Sequence, residues 1–186
     1  MSILSGPAWC RAFPDSDSLL DLKFPFDTAV NNFITALKAA GARVSISATL
    51  HPPERAWLMH WAWMIAKGKI DPAQVPAKKG VDIQWVHETP EKSRQSAVAM
   101  VNAYGMQGVP VAPVLHSRYT EGHAIDIDIS WVNNLKIKNK AGEYVEIISF
   151  PRNAMNIELA QVGKSYGVMK CHDGGLDAPH WSVDGR

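Results

Sequence analysis

Ala124-Ile125-Asp126-Ile127-Asp128-Ile129 alternates without a break. A two-residue period puts the three isoleucines on one face of a strand and Ala124, Asp126 and Asp128 on the other. An aspartate inside such a strand is unusual when its like-facing neighbours upstream are as small as Gly122 and Ala124. Burying a carboxylate is costly unless it is paired or holds a metal. The small neighbours leave open space on the face that carries Asp126.

Working outward, the segments on either side alternate between helical and strand periods. Val30, Phe33, Ile34 and Leu37 follow helical spacing, with Asp27 as the expected N-cap and Gly41 just past the end. Arg43 to Thr49 alternates as a half-buried strand. Pro52-Pro53-Glu54 opens a helix that runs through Trp57, Leu58, Trp61, Met64 and Ile65 towards Gly68. Another helix spans about Pro90 to Tyr104, and residues 69–90 read as irregular connection. Leu135 to Ile148 reads as a hairpin turning at Lys140-Ala141-Gly142. A last helix covers about Ala154 to Tyr166, and short strands near Val168–Cys171 and Trp181 end the chain. Helices and antiparallel strands segregated in this way predict an α+β fold, with helices packed on a central antiparallel sheet. No linker, repeat or low-complexity tract divides the 186 residues, so a single domain is expected, with residues 1–26 as an N-terminal extension.

Composition narrows the function classes. With 19 Lys+Arg against 18 Asp+Glu the formal charge is +1, which excludes the clustered basic excess of a general nucleic-acid binder. Hydrophobic residues at 46% and charged residues at 20% describe a chain that folds. Cys10 and Cys171 lack metal-ligand spacing and read as two buried thiols. The N-terminus carries no signal-peptide pattern, and no apolar run is long enough to span a bilayer. Synthesis in the cytoplasm as a soluble monomer is the expectation. Seven histidines and seven tryptophans are the conspicuous surplus. Trp57, Trp61, Trp63 and Met64 read as helix packing, and His60 and His87 as neighbours of aromatic rings.

Two segments carry chemistry: Ser117-Arg118-Tyr119-Thr120-Glu121-Gly122-His123-Ala124-Ile125-Asp126, and Asp177-Ala178-Pro179-His180-Trp181. His180 is an imidazole held between a proline and a tryptophan, and Asp177 lies three residues before it, close enough to serve the same site. Together these segments resemble the zinc D-alanyl-D-alanine carboxypeptidases and L-alanyl-D-glutamate endopeptidases, which cut the stem peptides of bacterial peptidoglycan. That family's pattern is Ser-x-His-x-x-Gly-x-Ala-x-Asp, followed far downstream by an acidic residue, two others, and a His usually next to Trp. Ser117, Gly122, Ala124, Asp126, Asp177, His180 and Trp181 sit in register with it. The helix, strand and Pro-Pro-Glu-Arg of residues 27–55 also look like the family's front half.

The resemblance implies Zn²⁺ held by Asp126 and His180, with Asp177 as general base and Ser117 lining the substrate pocket. Arg118 is placed to steady an oxyanion or a substrate carboxylate. The family's first ligand histidine is Tyr119 in this chain. A phenol, with a reference pKa near 10, is a weaker zinc ligand than imidazole. His116 is the candidate substitute; His123, three positions from Asp126, faces the other side of a regular strand. A second departure is His51, where related enzymes often carry an arginine that grips a substrate carboxylate with two hydrogen bonds, a fork imidazole cannot make. The implied activity is zinc-dependent hydrolysis of an amide bond in peptidoglycan stem peptides, on the cell wall, after export by a secretion system or release by phage lysis. The alternative is a catalytically impaired member that binds cell-wall peptide or a protein partner without cleaving it.

Overall fold

The computed structural model describes residues 2–170 and 179–186. In chain order the elements are β1 (Ile3–Leu4), α1 (Phe26–Ala39), β2 (Arg43–Ala48), α2 (Pro53–Ala66), β3 (Ile83–Gln84), α3 (Pro90–Ala103), β4 (Ala124–Ser130), β5 (Leu135–Lys138), β6 (Tyr144–Ile147), α4 (Ile157–Tyr166), β7 (Met169–Lys170) and β8 (His180–Ser182). The class is α+β, as the segregation of periods predicts. The chain forms two compact units, one of residues 1–14 and 51–117 and the other of residues 15–50 and 118–186. Neither composition nor a flexible stretch marks the boundaries.

The first unit is built on α2 and α3. Pro53 sits in the first turn of α2, where a missing N–H costs nothing, and Thr89 caps α3 by accepting from the Lys92 N–H. Trp57, Leu58, Trp63 and Ile65 of α2 pack with Ala97, Met100 and Val101 of α3, Val81 and Trp85 in one apolar cluster. The tryptophans of α2 therefore belong to a core, as their spacing predicts. His60 lies edge-on to Trp61, with ring centroids 4.7 Å apart, and its Nδ1 meets the Pro113 carbonyl at 2.7 Å. His87 is held differently from the expectation, by a 2.8 Å hydrogen bond between its Nε2 and the buried Ser5 hydroxyl. The stretch read as irregular contains β3, which pairs in parallel with β1. Cys10 is half-buried, and burial pushes its thiol above the ordinary value.

The second unit carries a four-stranded antiparallel sheet in the order β2-β4-β8-β7. Ile125, Ile127 and Ile129 of β4 point into a core shared with Val30, Phe33 and Leu37 of α1 and Leu159 and Val162 of α4. Helix α1 starts at Phe26, one residue before the expected cap, so Asp27 falls in the first turn, where its charge still favours the helix N-terminus. Helix α4 begins later than the spacing suggests, because Asn156 caps it by accepting from the Leu159 N–H. It stops at Gly167, whose φ of 92° lies in the left-handed region. The expected hairpin forms as β5–β6, with Leu135 opposite Ile147 and Lys138 opposite Tyr144. No helix among the described residues is long and apolar enough to cross a membrane.

Candidate metal centre

Asp126 occupies the middle of the sheet. Its Cα partner on one side is Ala48 of β2 and on the other His180 of β8. Directly opposed residues on adjacent antiparallel strands project to the same side, so register alone brings the two side chains together. His180 Nδ1 lies 3.6 Å from Asp126 Oδ1, and His180 is 5% exposed.

The third member arrives from the loop that feeds β4. The Gly122 N–H bonds the Tyr119 carbonyl at 3.3 Å and the His123 N–H bonds the Arg118 carbonyl at 2.8 Å, closing a tight turn. Gly122 has φ of 72°, and a Cβ there would stand 2.9 Å from the Asp21 carbonyl oxygen and from Lys23 Cγ. Only glycine meets both the left-handed backbone and the close approach of residues 21–23. The turn lays Tyr119 over the sheet. Its hydroxyl contacts both Asp126 Oδ1 and His180 Nδ1, and its ring is tilted 59° to the imidazole with centroids 5.1 Å apart.

Protons decide what this triad can do. His180 Nε2 lies 3.0 Å from the Arg186 carbonyl. A carbonyl only accepts, so Nε2 carries the hydrogen, and in the neutral ring Nδ1 presents a lone pair towards Tyr119. The phenol therefore has one proton for two acceptors. A second proton, on His180 or on Asp126, or a bound cation in its place completes the set. The donor set is one carboxylate oxygen, one imidazole nitrogen and one phenol oxygen.

Zinc fits this geometry at two corners. Ligands about 2.0–2.1 Å from a tetrahedral zinc are about 3.4 Å from each other, close to the 3.6 Å between Asp126 and His180. The Nε2–H bond to a backbone carbonyl is also the usual way a ligating histidine is oriented. Among the described residues no three His, Cys, Asp or Glu side chains converge, so the set reaches three only by counting the phenol of Tyr119.

Arg118 is committed elsewhere than the sequence suggests. Its Nη2 and Nε meet Asp184 at 2.6 and 3.2 Å, and Nη1 meets Glu121 at 2.7 Å. The guanidinium holds both carboxyls below their ordinary values, and they raise its own. The pair ties the loop before β4 to the turn after β8. That turn also closes through the Arg186 N–H on Ser182 Oγ at 2.9 Å, and it carries the carbonyl that orients His180. Sequence reasoning missed Asp184 and Arg186, although the Asp184-Gly185 pair is a turn signal and Gly185 has φ of 77°.

The remaining predicted residues divide as follows. His123 precedes β4, and its Nδ1 lies 3.8 Å from Glu121. His51, His116 and Ser117 belong to the first unit, where His116 is exposed and His51 and Ser117 are half-buried. Asp177, Cys171 and His172 lie outside the described residues. No family model, curated protein or solved structure matches the chain.

Proposed function

We propose that the Tyr119–Asp126–His180 centre is a zinc site serving hydrolysis of an amide bond in peptidoglycan stem peptides. The observation that carries the reading is the register Asp126↔His180, which brings a carboxylate oxygen and an imidazole nitrogen together on the Tyr119 hydroxyl. Asp126 and His180 bind the ion, and Tyr119 adds a third ligand once its proton is lost. Zinc held there supplies Lewis acidity, polarising a scissile carbonyl and acidifying water. Arg186, through its carbonyl, keeps the Nδ1 lone pair of His180 turned inward. Asp177, by its motif position, takes and returns the proton. The wall is reached in this reading after export or lysis.

One observation favours a second reading, binding without cleavage. The Tyr119 hydroxyl already contacts both other members, so a metal must displace the phenol proton before all three can ligate. A parallel assay separates the two readings. Purified protein, and Tyr119→His and Tyr119→Phe variants, are incubated with zinc and purified peptidoglycan, and released fragments are resolved by chromatography. Cleavage by the parent that is lost in Tyr119→Phe supports hydrolysis with a phenolate ligand. Cleavage by Tyr119→His alone supports the binding reading for the parent. An inert parent and an inert Tyr119→His variant overturn the hydrolytic centre.

A further inference from the structure

A groove of about 590 Å³ lies in the second unit between α1, the β5–β6 hairpin and the end of α4. Its floor is the small and neutral face of α1, Asn32, Thr35, Ala36 and Ala39, and its wall carries Lys136, Lys138 and Lys140. Among the described residues no carboxylate lines it. None of the three lysines forms an ion pair among the described residues. The cross-strand partner of Lys136, Glu146, meets Asn134 at 3.3 Å. The Nζ atoms of Lys136 and Lys138 stand 4.9 and 5.0 Å from the centroid of the Tyr144 ring. One aromatic side chain thus holds two ammonium groups beside each other against their mutual repulsion.

The groove continues into a second one of about 330 Å³, with which it shares Asn32, Lys140 and Tyr166. The second is apolar: Phe24, Pro25, Phe26, Ala29 and Val183 line it. Phe24 is 79% exposed at its rim. A cationic stretch that opens onto an apolar one is an amphipathic pattern. Inorganic polyanions and acidic polysaccharides satisfy the lysines but bring nothing to Phe24. An acidic peptide with an aromatic or aliphatic anchor satisfies both.

We infer that this double groove docks an extended segment of a partner protein, with acidic residues along Lys136, Lys138 and Lys140 and an apolar side chain against Phe24 and Pro25. The surface is independent of the metal centre, and no residue of that centre lines it.

Fluorescence anisotropy with the full chain tests the inference. The probe is a labelled peptide of three consecutive acidic residues, a glycine, then phenylalanine and leucine. Its controls are the same peptide with serine for phenylalanine and leucine, and polygalacturonate as competitor. Lys136→Thr/Lys138→Thr weakens binding about tenfold at low salt, the sum of two or three solvated charge contacts. An equal loss of charge in the first unit, Lys69→Thr/Lys79→Thr, leaves binding unchanged. Phe24→Ser, and removal of the peptide's apolar pair, each weaken it several-fold. Equal weakening by the two lysine pairs, or polygalacturonate displacing the peptide regardless of Phe24→Ser, identifies an unspecific polyanion surface and overturns the inference. Absence of any binding overturns it as well.

Discussion

Gly163 of α4 is the point at which the helix layer meets the strand that carries His180. A Cβ placed there would lie 2.7 Å from Trp181 Cζ3, 2.9 Å from the Val168 carbonyl oxygen and 3.3 Å from Phe33 Cζ. Gly163→Ala gains about 1 kcal/mol of helix propensity. It also adds a methyl group to a site with no room, and overpacking of this kind costs about 1–3 kcal/mol. The two nearest obstacles are a ring with no exposure and a backbone carbonyl, neither of which yields cheaply, so the upper end of that range applies. The net expectation is a loss of about 2 kcal/mol, the difference of those two contributions. Urea unfolding followed by circular dichroism reads it directly as a lower midpoint. Gly108→Ala serves as control, because no heavy atom lies within 4 Å of its Cβ position. Since His180 immediately precedes Trp181 on β8, the displaced ring also disturbs the triad, and metal affinity should fall with stability. A Gly163→Ala protein as stable as the parent would refute the packing argument for how α4 positions β8.

Two further perturbations probe the second unit. Asn156→Ala removes a buried amide that donates to the Ser149 and Pro151 carbonyls and accepts from Leu159; a loss of about 2–3 kcal/mol is expected by the same unfolding assay. Arg118→Gln tests the acid limb of stability. Glu121 and Asp184 have lowered folded values, so their contribution is present above the ordinary carboxylate range and lost as pH falls through the depressed values. The thermal-stability deficit of the variant should therefore be seen at about pH 7 and close as pH falls below the ordinary carboxylate range. A deficit unchanged across that window would show that the guanidinium acts through packing instead.

The strands and helices were legible wherever one period ran uninterrupted. The isoleucine alternation of β4, the Arg43–Ala48 strand, the α2 tryptophans and the 135–147 hairpin lie where their patterns put them. Boundaries were less legible, since α4 starts at an asparagine cap whose four side-chain hydrogen bonds go to residues 149, 151 and 159 and leave no mark on the helical pattern. At the candidate site, the family resemblance pointed to Asp126 and His180, but only register shows them opposed across two strands. Arg118 looked free because its partner Asp184 lies 66 positions away. The meeting of Tyr119 with Asp126 and His180 depends on a turn that Gly122 permits, and the glycine was visible in sequence while its consequence was not.

The central claim is that Tyr119, Asp126 and His180 form one metal centre, and isothermal titration of the metal-free protein with zinc tests it most directly. Binding at one equivalent per chain is expected, abolished in Asp126→Asn and in His180→Ala, weakened in Tyr119→Phe and tightened in Tyr119→His. A parent that binds no zinc, or binding that survives the loss of both Asp126 and His180, would contradict it.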